Sequence, residues 1–249
     1  MNEVCFSIVN HAAWAPGVTT PQAWAQWAQT PSIIHSGTGP TVSQMPPMLR
    51  RRTGLISKMA LEVAYQCLET RSTIPTLFCS RHGEVVRAIE LLSDLVQDEP
   101  LSPTGFGLAV HNASAGLFSI ARNDTANHIA LSAGDSTVEH GVIEACGLLA
   151  DGAPQVLLVV YDHPLPAVLT AFEDCIEQPY AWAWLIAPAT PATEQDAIHL
   201  RWSAHPETQA TVPETMPAGL QILRFQLGHH SSLERTAGPR CWHWYRNVQ

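Results

Sequence analysis

Charge is scarce in this chain. Only 14% of its 249 residues are Asp, Glu, Lys or Arg, against 46% hydrophobic. That is little charge for the surface of a monomer, so the composition predicts that a partner covers much of it. Basic clusters are scarcer still: the net charge is −9 and Arg50-Arg51-Arg52 is the one basic run. Phosphate binding needs clustered Lys and Arg, so nucleic acid is not expected as a partner. The longest apolar stretches, near 156–161 and 181–189, fall well short of the roughly 20 residues that span a bilayer. No basic segment followed by an apolar run opens the sequence, so no secretory signal is expected. Cys5, Cys67, Cys79, Cys146, Cys175 and Cys241 form no CxxC pair. They read as reduced, mostly buried thiols rather than disulfides or zinc ligands, which points to the cytoplasm. His229-His230 and His243 are the nearest thing to a metal cluster, but adjacent histidines point different ways, so no metal or cofactor is expected.

Periodicity outlines an α/β layer architecture. Val4–Val9 reads as a first strand followed by a loop through His11–Trp14. Gln22–Gln29 reads as a short helix with Thr20 as N-cap and Pro21 at its first position. Residues 31–47, rich in Ser, Thr, Gly and Pro, read as a long surface loop. Leu55–Leu68 has a helical stripe of Ile56, Met59, Ala60, Val63, Ala64 and Cys67. Leu61 and Tyr65 lie off that stripe, so a second apolar face needs its own cover, which another subunit could supply. Thr76–Ser80 reads as a strand, Glu84–Gln97 as an amphipathic helix and 100–107 as a loop. Further on, Ala181–Ala187, His199–Ser203 and Leu220–Gln226 read as strands, and Cys241–Tyr245 as an edge or closing strand. The loops at 188–197 and 204–218 are too short to mark a boundary, so residues 1–249 read as a single domain. Trp182, Trp184, Trp242 and Trp244 alternate along strands, which makes core or interface packing their default role.

The centre of the chain is the stretch from His111 to Tyr161: helix, strand His128–Ala133, a tight turn at Gly134-Asp135, a second helix and another buried strand. A sharp strand-to-helix turn is where an α/β enzyme often presents its nucleophile. Here it presents Asp135, which reads first as a helix N-cap, with catalysis or an interface ion pair as the other possibilities. Gly134-Asp135-Ser136 together with Asp196 and His199 gives a second reading, a serine hydrolase using Ser136, Asp196 and His199. The glycine and asparagine that such esterases use for an oxyanion hole are missing.

Asn112-Ala-Ser-Ala-Gly-Leu-Phe-Ser-Ile120, the strand after it and the Gly134-Asp135 turn resemble the N-terminal half of β-ketoacyl synthases of the thiolase fold. In that family the turn carries the cysteine that takes the acyl chain as a thioester. Without a gap from Asn112 that position falls on Asp135, while His140 and Gly152 fall where many members have His and Gly. Arg51–Leu68 is similar to the family's Arg-rich lead into its dimer-interface helix, and the likeness is strongest over 48–165. The resemblance implies a truncated thiolase-like α/β fold, a layered mixed sheet with helices. Lacking the cysteine and most of the C-terminal half, the chain is most similar to chain-length factors, in particular the short type of aryl polyene pathways. Such a subunit has no catalysis of its own. It pairs with an active ketosynthase, receives its acyl carrier protein through the complex, and helps shape the tunnel for the growing chain. The resemblance makes Met59, Leu61, Tyr65, Asn112 and Phe118 the tunnel or interface candidates; Arg50–Arg52 reads as an interface segment facing acidic residues of the partner, with the acidic surface of an acyl carrier as the other reading.

Overall fold

The computed structural model describes residues 2–68, 73–205 and 215–247. Eight strands form one sheet: β1 Glu3–Trp14, β2 Thr76–Cys79, β3 His128–Leu131, β4 Val156–Asp162, β5 Tyr180–Pro188, β6 Ile198–Ala204, β7 Ser232–Ala237 and β8 Arg240–Arg246. Their order is β3-β2-β4-β5-β1-β6-β8-β7. The first three in that order are parallel and every other neighbouring pair is antiparallel. The helices are α1 Pro21–Gln29, α2 Pro47–Arg52, α3 Leu55–Leu68, α4 Val85–Val96, α5 Pro103–Gly107, α6 Ala113–Arg122, α7 Thr137–Ala150 and α8 Ala218–Leu227. Beyond Tyr180 the mixed sheet runs on as antiparallel strands.

One face of the sheet packs on α7, α8 and α1, and includes Trp182, Trp184, Trp242 and Trp244. Trp182 and Trp184 lie 4.4 Å apart, Trp184 meets the edge of Trp244, and Trp182 donates through Nε1 to the carbonyl of Gly219 at 2.9 Å. They are core. The other face packs on α3 and α6. The periodicity places α3 at its observed limits, and its second apolar face is covered from within the chain. Ten of its residues are buried, against β5, β1, β4, α6 and the segment holding Val42 and Met45.

That segment belongs to the stretch expected as a surface loop. It is irregular, but Ile34, Val42 and Met45 are buried. The Val42 amide donates to Glu62 Oε2 at 2.9 Å and the Ile34 amide to Gln178 Oε1 at 2.8 Å, so side chains replace the missing ladder. β1 is longer than the expected Val4–Val9 because its register shifts between Ile8 and Asn10. The bulge breaks the alternation, and Trp14 still points inward. Leu220–Gln226, expected as a strand, is helical. Leu220, Leu223 and Leu227 recur at helical spacing, Pro217 precedes the helix and Gly228 closes it. Cys241–Tyr245 does form a strand, but β7 lies outside it at the sheet edge. Most of the 204–218 connection falls outside the described residues. Ser102 caps the short α5 inside the expected 100–107 loop by accepting from the Gly105 amide at 3.1 Å.

A buried ion pair ties the two halves of the sheet together. Arg235 Nη1 on β7 donates to Glu139 Oε1 on α7 at 2.5 Å, with side chains 1% and 0% exposed. Burial pushes the Glu139 carboxyl toward its neutral form, and the adjacent guanidinium opposes that. On the far side of the sheet Glu3 accepts from Tyr245, His199 and Arg201, which hold its pKa down at about 2.

Replacing Arg235 with Leu is expected to cost about 3–5 kcal/mol in urea unfolding, because a buried carboxylate loses its partner. The double replacement Glu139→Leu with Arg235→Leu recovers part of that loss. Glu3 has a folded pKa below the ordinary value of 4.5, so its contribution is present above pH 4.5 and lost as pH falls toward 2. Acid titration of Glu3→Gln should therefore show a shallower fall in stability across that window.

Candidate functional site

β3 ends at Leu131, and the chain turns through Gly134–Ser136, a single 3₁₀ turn, directly into α7. Gly134 sits at φ +56°, a conformation that favours glycine. The Thr137 hydroxyl closes the turn, accepting from the Ala133 amide at 3.0 Å and donating to the Gly134 carbonyl at 2.6 Å. Asp135 lies half-exposed on the turn. Asp135 does not cap α7: Ser136 is the N-cap residue, no side chain makes a cap bond there, and the Thr137 hydroxyl ties the turn rather than the helix end. The 3₁₀ turn holds Asp135 one step short of the helix end.

No thiol reaches the turn among the described residues. Cys79 is buried in β2 under α7, where a Cβ added at Gly141 would come within 2.7 Å of its sulfur. Cys146 lies more than two turns further along α7. Burial pushes the Cys146 thiol up to about 12 and raises Cys79 as well, so neither is a thiolate at neutral pH.

Ser136, Asp196 and His199 do not form a triad. The Ser136 hydroxyl is buried and accepts from Trp242 Nε1 at 3.1 Å, on the α7 side of the sheet. Leu200, paired with Trp244, faces the same side, so His199 and its partner Tyr245 face the other. Asp196 is exposed on a separate turn. Among the described residues no three His, Cys, Asp or Glu side chains are arranged to hold a metal ion, and no helix is long and apolar enough to cross a membrane.

Of the tunnel candidates, Tyr65 on α3 and Phe118 on α6 meet edge to face at 5.2 Å, and Phe78 and Tyr161 extend the aromatic group. Met59 and Leu61 are fully buried on α3, and the Tyr65 hydroxyl is buried without a hydrogen bond. Asn112 stands apart, exposed at the start of α6. Arg51 and Arg52 are exposed on α2. Beside the start of α3 a cavity of about 240 Å³ is lined by Leu55, Ile56, Val86, Glu84, Arg87 and His163. Glu84 is buried and bonded to Ser57, which in turn meets Ser114 at 2.8 Å; burial raises the Glu84 pKa against the pull of Ser57 and Arg87.

Sequence reasoning missed the polar knot at the carboxyl ends of β2 and β4. Asp162 is buried and accepts from Ser80 Oγ at 2.8 Å, the Arg81 amide at 2.9 Å and the Tyr180 hydroxyl at 3.2 Å. His111 bonds to the Ser80 carbonyl at 2.9 Å, and Ser132, next to the turn, donates to the Arg81 carbonyl at 2.9 Å. Burial raises the Asp162 pKa, and Ser80, His82 and Arg81 oppose it. The available signal was the run VLLVVYD, an apolar strand ending on a carboxylate. Arg81 pairs with Asp174 and His82 with Glu177, so the knot fixes β2, the β3 turn and the 163–178 loop to one another.

A mixed sheet whose parallel end delivers such a turn into a buried helix defines a thiolase-like ketosynthase fold. A model of the β-ketoacyl synthase N-terminal domain matches residues 24–245, and the chain belongs to that family. One chain of a ketosynthase (ApeO) in complex with its chain length factor (ApeC), from Xenorhabdus doucetiae, is 26% identical with a TM-score of 0.84, over 98% of this chain and 100% of that one. The ishigamide ketosynthase/chain length factor is 13% identical with a TM-score of 0.64, over 82% of this chain and 68% of that one. A ketosynthase from module 6 of the bacillaene synthase of Bacillus subtilis is 10% identical with a TM-score of 0.59, over 82% and 42%. No curated protein matches the sequence.

Asp135→Ala should change stability by less than about 0.5 kcal/mol, as for a surface site without a bond. Thr137→Ala should cost about 1 kcal/mol, because it opens the turn. Urea denaturation of the two variants checks this, and the opposite ranking would make Asp135 a helix cap after all.

Proposed function

We propose that this chain is a chain-length-factor subunit without catalysis of its own, which pairs with an active ketosynthase in aryl polyene-type chain assembly. The observation that carries this reading is the turn after β3: the scaffold that presents a nucleophile is intact, and it offers Asp135 with no thiol in reach. The end-to-end likeness to one chain of a ketosynthase and chain length factor complex supports it. Exposed apolar side chains support it too. Leu92, Leu95, Val96, Phe106, Ile120, Val168 and Phe172 are each more than half exposed within 92–172, and Met48 on α2 joins them among the described residues. α4 buries no residue at all although one of its faces is strongly apolar. A partner seated there removes apolar surface from water at about 25 cal/mol per Å².

In this reading the partner supplies the cysteine and the histidines, and its acyl carrier protein delivers the chain in the cytoplasm. This chain, acting as one domain over 1–249, supplies shape. Met59, Leu61, Tyr65 and Phe118 act from beneath the interface by setting how closely α3 and α6 approach the growing chain, with Asn112 at the rim. Small changes of volume here move the wall without adding a polar group.

Co-expression with a ketosynthase and its acyl carrier protein tests the reading. The expected result is co-purification with a 1:1 mass, weakened at least about tenfold by Ile120→Asp or Leu95→Asp, since each buries an unpaired charge. A chain that stays monomeric beside every ketosynthase tried would end the proposal. Phe118→Leu, read by mass spectrometry of the product, should shift chain length; an unchanged product would leave a structural partner without control of length.

A further inference from the structure

The face of the sheet opposite α7 carries a second group of reactive side chains, far from the β3 turn. Cys5 on β1 is paired across the sheet with His199 on β6. The Cys5 sulfur lies 3.6 Å from His199 Nε2, and His199 Nδ1 lies 3.0 Å from Glu3 Oε1. Glu3 is an acceptor held ionised by Tyr245 and Arg201, so the proton of neutral His199 belongs on Nδ1. That leaves Nε2 as an acceptor aimed at the thiol. The ring is held in place by stacking on Tyr245 at 4.7 Å, and Tyr245 in turn stacks on His243. A nucleophile, a base and a group orienting the base thus stand in line on three side chains. Cys5 is half-buried, so its sulfur is not sealed in the core as those of Cys67 and Cys79 are.

We propose that Cys5 is an acyl-acceptor thiol, with His199 as its general base and Glu3 as the residue that positions the base. The Cys5 sulfur attacks the carbonyl carbon of a thioester while His199 takes the thiol proton. The carbon–sulfur bond of the donor then breaks, and the leaving thiolate takes that proton from His199. A new thioester forms on Cys5 and one free thiol departs, with no other reactant. Thioesters are the fitting class because the leaving thiolate is about as stable as the attacking one. Burial, then the carboxylates of Glu3 and Glu194, raise the Cys5 pKa, so the resting form is the thiol and transfer depends on the base. The acylation is a single stoichiometric loading of Cys5, so it adds no turnover to the reading above, and the site is separate from the pairing and does not rest on it.

The test uses the full chain, alone or with a co-purified partner, treated with iodoacetamide and separately with phenyl thioacetate, followed by peptide mapping. Cys5 is expected to be the first cysteine alkylated and the one acetylated. His199→Gln should slow both reactions at least about tenfold. The charged and titratable groups around His199 are Glu3 on β1, Arg201 on β6, His243 and Tyr245 on β8, and Glu194 on the adjoining turn. Among them Glu3 meets the ring at Nδ1, so Glu3→Ala should slow acetylation of Cys5, and Glu3→Gln, whose amide oxygen still accepts from Nδ1, should restore part of the rate, a rescue that a packing role would not require. Selectivity in the unaltered chain needs no variant to fold. If Cys241 or any other cysteine reacts first, if acetyl never reaches Cys5, or if His199→Gln reacts at the unaltered rate, the proposal is overturned.

Discussion

The buried pair between Glu139 and Arg235 is the constraint on which the arrangement of this chain most depends. It joins the first turn of α7, just after the β3 turn, to the edge strand at the far end of the sheet. Two charges without solvent contact hold only if they meet each other, and a displaced strand would leave both uncompensated. Trp242 and Trp244 add N–H groups aimed at Ser136 and Glu139, so the β7–β8 hairpin is fixed to α7 by direction as well as by apolar contact. α7 also touches β1, β2, β3, β4 and β5. One helix therefore sets the position of both the parallel and the antiparallel parts of the sheet.

Much of this was legible because local and global signals agreed. α3 has an unbroken helical stripe, α1 has Thr20 and Pro21 at its start, and β4 and β5 are continuous apolar runs fitting a position inside the sheet. Where reading failed, a local feature hid the pattern. The bulge at Ile8–Asn10 split β1 into two phases. The run Leu-Gln-Ile-Leu-Arg-Phe-Gln alternates enough to look like a strand, although Pro217 and Gly228 bracket a helix. β7, Ser-Leu-Glu-Arg-Thr-Ala, is polar because it lies at the edge, and its one buried charge finds its partner 96 residues away. No sequence window contains that pairing.

The candidate site was legible in a different way. The motif located the turn and the residue on it, because a strand, a glycine and a helix start are local. Its surroundings were not local. Asp162 gathers donors from β2 and β5, and Tyr65 finds Phe118 across two helices. The expectation of a partner also changed in detail. The second apolar face of α3 is satisfied inside the chain, and the exposed apolar surface lies mostly further on, in α4, α5, α6 and the 167–172 turn. The low charge of the sequence and that exposed surface are two views of one property.

That exposed surface is the proposed seat of a ketosynthase. Amide hydrogen exchange of this chain, measured alone and then with a co-purified ketosynthase, addresses it most directly. Slowed exchange along β3 and across α4 to α6, with the outer face of β6 and β8 unchanged, is the predicted result. Protection confined to β6, β7 and β8, with the α4 to α6 region exchanging as in the free chain, would contradict it.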